Sequence, residues 1–202
     1  MPAYFTVSFS LRDDPNQVRL FYQALEQSGL RYQSGFWHSE GDTLEEIVQW
    51  NAAKLRNHDV PGIKEEYTQH YKQALFRFGD FSEARVYLFY PAQTDEFAFH
   101  LILPEDDFFD ADQTRRTDRM EQIKELMLQM WNAMDLLSVQ TCWECSQLPI
   151  SAAKLERGCQ PMTEPYAIVP TRFVKTKWDC DRREICRGGT LLTDENNWNA
   201  TC

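Results

Sequence analysis

Three groups of residues have the types and spacing that chemistry requires. The first is Cys142-Trp143-Glu144-Cys145, which with Cys180 and Cys186 could supply four thiolates to zinc. A zinc knuckle needs a tight turn, and Trp-Glu does not favour one. On a strand, two thiols three residues apart point to opposite faces. The gap to Cys180 also exceeds common zinc spacings. A redox pair belongs at a helix N-terminus, but Ser146-Gln147-Leu148-Pro149 follows here. These residues are therefore read as ordinary cysteines, with no metal ligand and no cofactor expected. A zinc or thiol protein using Cys142 and Cys145 is kept as an alternative.

The second group is acidic. Asp95, Glu96, Glu105, Asp106, Asp107, Asp110 and Asp112 lie together with no Lys or Arg among them. A calcium loop needs oxygens at alternating positions and a turn glycine. Phe108 and Phe109 interrupt the series instead. The remaining readings are a solvated loop that also favours the positive end of the helix after it, or a docking surface for a basic partner. The third group is the histidines His38, His58, His70 and His100, none of which sits in a nucleophile, zinc-protease or phosphate-loop motif. His100 stands out because it lies among apolar residues on a strand. The pairs Asp13–Asp14 and Glu65–Glu66 read as solvated turn and helix-start charges.

The elements that position these groups are legible from hydrophobic period. Phe5, Val7, Phe9 and Leu11 alternate with Tyr4, Thr6, Ser8 and Ser10, which defines a half-buried first strand. Pro15 opens a helix with Val18, Phe21, Tyr22 and Leu25 on one face, and Gly29 stops it. Residues 31–38 suit a second strand. Asp42-Thr43-Leu44-Glu45 resembles a capping box before Leu44, Ile47, Val48 and Leu55. Residues 62–78 fit a helix opened by Pro61 and closed by Gly79, although Ala74, Phe76 and Phe78 also fit a strand end.

Two strands follow, 85–90 and 97–103. Placing both apolar sets on one face of an antiparallel pair requires paired numbers that sum to an odd value, and Tyr90 opposite Phe97 does this with a six-residue turn. That register sets Tyr87 against His100, Phe89 against Ala98 and Arg85 against Ile102. A helix is expected over 114–137, with Met120, Ile123, Met127, Met130, Met134 and Leu137 forming one seam. Further strands are expected at 138–145, 166–169 and 172–178, with a hairpin of 183–187 and 190–193 turning at Gly188-Gly189. A short helix should span 151–157. The sum is an α+β fold, a mainly antiparallel sheet with helices packed on one face. A single domain over 1–202 is expected, with a C-terminal subdomain from about 138 as a possible division.

Composition narrows the function. The 202 residues carry 31 acids and 21 bases, a net charge of −10. Residues 36–112 hold sixteen acids and six bases, and the segments on either side are each balanced, so the whole −10 sits in the middle. This argues against a nucleic-acid surface and against docking on anionic lipid. The basic residues at 172–187 are interleaved with acids and form no basic patch. Met1-Pro2-Ala3-Tyr4 lacks a basic start, no apolar run reaches membrane-span length, and a cytoplasmic protein with free thiols is expected.

Trp50-Asn51, Phe81-Ser82-Glu83-Ala84-Arg85 and Leu101-Ile102-Leu103-Pro104-Glu105-Asp106-Asp107 resemble segments of small bacterial cytosolic proteins. Their build is similar to the immunity proteins that neutralise polymorphic toxins. The resemblance covers about a third of the chain and carries no catalytic residue. It implies an acidic α+β domain that binds and blocks a basic toxin. The leading expectation is therefore a non-enzymatic binding protein. Asp106, Asp107, Asp110 and Asp112 would provide the field, and Tyr87, Phe89 and His100 the anchors on an open sheet face. The alternative is a small-molecule enzyme with a pocket near His100 and Tyr87. The oligomeric state is not defined by the sequence.

Overall fold

The structure, a computed structural model, describes residues 3–59, 70–91, 95–143 and 148–194. Nine antiparallel strands form one sheet: β1 (Tyr4–Arg12), β2 (Arg31–Phe36), β3 (Gln73–Arg77), β4 (Ala84–Phe89), β5 (Glu96–Pro104), β6 (Ser138–Trp143), β7 (Tyr166–Pro170), β8 (Asp181–Ile185) and β9 (Gly189–Thr193). Their order is β2-β3-β4-β5-β1-β6-β7-β9-β8, which places β1 in the middle. Helices α1 (Asn16–Gln27), α2 (Leu44–Arg56) and α3 (Thr117–Ala133) cover one face. The short α4 (Ala152–Glu156) belongs to a separate cluster on the other face, where Leu155 packs with Ala167, Val169, Phe173, Trp178 and Leu192. The fold is α+β, as the sequence implies.

The alternation in β1 explains the helical face, but the strand is not half-buried as expected: Thr6, Ser8 and Ser10 are buried too, because the sheet is covered on its second face as well. Phe5, Val7, Phe9 and Leu11 are all buried, and α1 lays Val18, Phe21, Tyr22 and Leu25 against this side of the sheet. Phe21 stacks on Phe99 with ring centres 3.9 Å apart and meets Phe9 edge-on at 5.4 Å. Such aromatic pairs add about 1 kcal/mol each beyond their buried area. The register of β4 with β5 is the expected one: Arg85 pairs with Ile102, Tyr87 with His100 and Phe89 with Ala98.

Several expectations need correction. The helix over 62–78 does not hold where the chain is described, because residues 73–77 are β3. The residues before it, 60–69, lie outside the described residues. The reason lies in α2. Asn51 is fully buried, donates to the Lys72 carbonyl at 2.8 Å and accepts from the Lys72 N–H at 2.7 Å. Trp50 Nε1 donates to the His70 carbonyl at 2.8 Å. These bonds occupy backbone groups that a helix would need, and they deliver Ala74, Phe76 and Phe78 to the core with strand period. The capping box is displaced by one residue. Thr43 accepts from the Glu46 N–H, and the Glu46 carboxylate accepts from the Thr43 N–H. Asp42 instead pairs with Lys72 at 2.6 Å.

The α3 seam buries Met120, Ile123, Met127 and Met130 as expected. The helix ends at Ala133, so Leu136 rather than Leu137 turns inward. The expected strand at 172–178 is absent; a 3-10 turn, Thr171–Phe173, occupies its start and sends Phe173 and Trp178 into the second cluster. The expected β8–β9 hairpin forms with a 3-10 turn at Cys186–Gly188.

That hairpin latches onto α3. Arg187 takes a left-handed φ of 57° and donates from Nη1 to the carbonyls of Trp131, Asn132 and Met134, at 3.2, 2.8 and 2.9 Å. It thus supplies donors to carbonyls that the end of α3 leaves unsatisfied and places a cation at the negative pole of the helix. Trp131 Nε1 returns a hydrogen bond to the Cys186 carbonyl at 3.2 Å. Gly189 lies beneath the indole, where a Cβ would come within 2.5 Å of Trp131 Nε1. Arg187→Ala is expected to lower stability by about 1–3 kcal/mol, with Arg187→Lys recovering part of the loss. Urea unfolding followed by circular dichroism checks this; equal midpoints for wild type and Arg187→Ala would refute the latch.

Candidate functional site

The second face of the sheet carries the residues singled out in the sequence. Along β1 it presents Thr6, Ser8 and Ser10, all buried. Ser8 lies between His100 of β5 and Gln140 of β6. Gln140 is fully buried and fully used. Its Nε2 donates to Ser138 Oγ and the Ile150 carbonyl, and its Oε1 accepts from the N–H groups of Ile150 and Met162. This side chain ties the segment after β6 down over the sheet.

His100 is only 3% exposed, with its ring stacked on Tyr87 at 4.9 Å and edge-on to Phe89 at 5.7 Å. Its Nδ1 shares a hydrogen bond with Ser8 Oγ at 2.9 Å, and its Nε2 has no partner among the described residues. Burial pushes the imidazole down to about 4, so it is neutral at physiological pH. The Ser8–His100 contact has the atoms of a nucleophile–base pair. Both side chains are sealed from solvent, and neither presents a reacting atom to a substrate. Tyr87 and Phe89 are half-buried on the same face.

Of the acidic residues, Glu105, Asp106, Asp107, Asp110 and Asp112 sit at the end of the sheet where β1 begins and β5 finishes, whereas Asp95 and Glu96 lie at the opposite end, where Glu96 pairs with Arg12. Asp106, Asp110 and Asp112 are exposed. Asp107 is half-buried, and its Oδ2 accepts from the Ser82 N–H and Oγ at 2.8 and 2.9 Å. This clasp joins the β3–β4 turn, with Asp80, to the chain that follows β5. Phe81 and Phe108 pack beneath it with ring centres 5.4 Å apart. Asp112 accepts from the Thr114 N–H, and hydrogen bonds from Thr114 lower its carboxyl below the ordinary range. Arg116 lies 3.8 Å from Asp110 and 3.3 Å from Asp118, while the buried Arg119 lies 3.8 Å from Asp80.

A third constellation was not legible in the sequence. At the opposite end of β1, Tyr90 donates to Asp13 Oδ2 at 3.1 Å, and His58 Nδ1 lies 2.9 Å from the Tyr90 oxygen and 3.1 Å from Asp13 Oδ2. Asp13 offers only acceptors and Tyr90 gives its proton to Asp13, so His58 Nδ1 is placed to donate to both oxygens. His58 adopts a φ of 54°, and its side chain is 63% exposed. Burial, and then the negative Asp13, raise the Tyr90 phenol. The three residues come from the β1–α1 turn, the end of α2 and the end of β4, and no local spacing relates them.

The four cysteines among the described residues group with no metal-ligand set; Cys145 and Cys202 lie outside them. Cys142 is buried on β6, Cys159 and Cys186 are exposed, and Cys180 is half-buried with its thiol raised by burial. Among the described residues no three His, Cys, Asp or Glu side chains group as metal ligands, and no helix is long and apolar enough to cross a membrane.

The burial of His100 has a measurable consequence. Its folded-state value lies below the unfolded one, so the unfolded chain takes up a proton first as pH falls. Stability is therefore fully present above about pH 6.5 and is lost as pH falls through about 4. The total is on the order of 3 kcal/mol. Urea midpoints compared for wild type and His100→Leu should diverge between those limits, with the wild type more pH-sensitive. Parallel curves would show that the ring is hydrated.

No protein-family model matches the chain, and no curated protein matches it. Among solved structures, the chain is similar to a T6SS protein of Pseudomonas aeruginosa at 8% identity and a TM-score of 0.40. The match covers 95% of this chain and 64% of that one, so the chain spans less than two thirds of its length.

Proposed function

We propose that the protein binds a basic protein partner through its acidic end and acts as an immunity-type inhibitor rather than as an enzyme. One observation carries this reading. The Ser82–Asp107 clasp gathers carboxylates from two stretches of sequence, so that Asp80, Asp106, Asp110, Asp112 and Asp118 lie exposed around one end of the sheet. The arginines there, Arg115 and Arg116, are half-buried, and Arg119 is buried. An exposed negative rim over inward-drawn cations is suited to steer a positive surface into contact. Tyr87 and Phe89 supply half-exposed aromatic area on the adjoining face. His100, being buried, supports them from beneath by stacking rather than touching the partner. The small-molecule reading would need access to His100, and its 3% exposure weighs against that.

The test uses the intact protein as bait in host lysate, beside Asp106→Asn/Asp110→Asn. Wild type should retain a basic protein that the variant releases. For the purified pair, raising ionic strength from about 0.05 to about 0.2 M should slow association roughly tenfold, and less for the variant. Identical retention and identical salt dependence would overturn the proposal.

A further inference from the structure

Among the described residues the sheet ends at β2 on one side and at β8 on the other, and the two edges differ. At the β2 edge the ladder slips between Tyr32 and Ser34, a bulge of the kind that keeps an edge from pairing. The β8 ladder has no slip: Asp181 to Ile185 pair one for one with Thr193 to Gly189. The strand contains no proline, and among the described residues no backbone hydrogen bond outside the β8–β9 ladder engages it. Asp181, Arg182, Arg183 and Glu184 are all exposed. A regular edge of this kind turns a row of N–H and C=O groups outward. The Arg187 latch to α3 holds the hairpin in place beforehand, which lowers the ordering cost of an association there.

The residues of this edge select its partner. At −10 the chain as a whole repels copies of itself, yet residues 181–184 carry two acids and two bases. Two identical sheets joined edge to edge with antiparallel strands are related by a twofold axis normal to the sheet. Such an axis keeps every residue on its own face, so it passes through a residue position rather than between two. Placed on Arg183, it overlaps the whole of β8 with itself. Arg182 then lies opposite Glu184 of the second copy, and Glu184 opposite Arg182, which gives two ion pairs on one face. Arg182 is already anchored, through Nη2, to the carbonyls of Thr176 and Trp178, so its guanidinium is held rather than loose. On the other face Arg183 meets its own counterpart, with Asp181 of the second copy diagonally beside it to offset the like charges.

The same register orders the thiols. Cys180 and Cys186 are free and flank β8 symmetrically about Arg183. Cys180 therefore stands opposite Cys186 of the second copy at both ends of the seam. Opposed residues of an antiparallel pair lie about 4.5–5.5 Å apart at Cα, within the span of a disulfide.

We infer that the β8 edge is a docking surface for a second copy of this chain, which pairs antiparallel about Arg183 and continues the sheet from one copy into the other. The inference is independent of the acidic end and of the partner proposed for it.

Sedimentation velocity of the intact protein in reductant, at tens of micromolar, should show a dimer. Glu184→Lys sets a cation opposite Arg182 and should weaken it about tenfold; Arg182→Glu/Glu184→Lys restores opposite charges and should recover it. Circular dichroism checks that each variant is folded. The thiols supply a readout that does not depend on the double variant. Diamide, which takes up the two thiol hydrogens as an S–S bond forms, should link the wild type into a dimer whose joined peptides contain Cys180 and Cys186. Cys180→Ser and Cys186→Ser should each abolish that link, whereas chance collision through the exposed Cys186 would survive Cys180→Ser. A monomer at that concentration, a dimer that Glu184→Lys leaves intact, or a link through other cysteines overturns the inference.

Discussion

The sheet depends on the requirement that β1 be buried on both faces. A central strand paired along both edges by β5 and β6, with helices over one face and the chain after β6 folded over the other, has no solvent side, so its polar groups need partners inside the protein. One face meets this by being wholly apolar. The other presents Thr6, Ser8 and Ser10, and the neighbouring strands answer with residues that can bond to hydroxyls or cover them. His100 does so with Nδ1 toward Ser8, and Gln140 does so by binding the chain that folds back over β6. His100 Nε2, without a partner among the described residues, is the cost of placing an imidazole in this dry row.

Side-chain bonds to backbone, rather than ion pairs, set how the loops attach to this frame. Asn51 and Trp50 of α2 hold the segment entering β3, Asp107 holds Ser82, and Arg187 holds the end of α3. The exposed Arg19–Glu45 pair between α1 and α2, although bidentate at 2.6 Å, is half in solvent and contributes little by comparison.

The charge takes on meaning through the same fasteners. The excess of acid between residues 36 and 112 is one stretch of sequence but several places in space. Glu45 and Glu46 serve the start of α2, where Arg19 holds the Glu45 carboxyl down to about 2. Asp13, outside that stretch, lies at the far end of β1 with Tyr90 and His58. What remains on the surface near the aromatic face is the group assembled by Ser82 and Asp107.

Much of this was legible from one-dimensional pattern. Strict alternation fixed the faces of β1, β4 and β5. Parity limited the pairing of β4 with β5 to registers that keep both apolar sets on one face, because a slip of one residue would turn every apolar side chain outward, and the short connection between the strands then selected Tyr87 opposite His100. The 3.6-residue period located the buried stripe of α1 and α3. Two kinds of feature were not legible. Residues 73–77 carry both helical and strand spacing, and Asn51, some twenty residues away, decides between them by taking up the Lys72 backbone. The Asp13–Tyr90–His58 group, and the Arg85 guanidinium set 4.7 Å from the Phe36 ring centre and 5.2 Å from that of Tyr4, likewise join residues from separate elements. Local spacing encodes which face a side chain takes, since that depends on backbone period. Which side chains then meet depends on strand order and loop closure, and only the folded chain sets those.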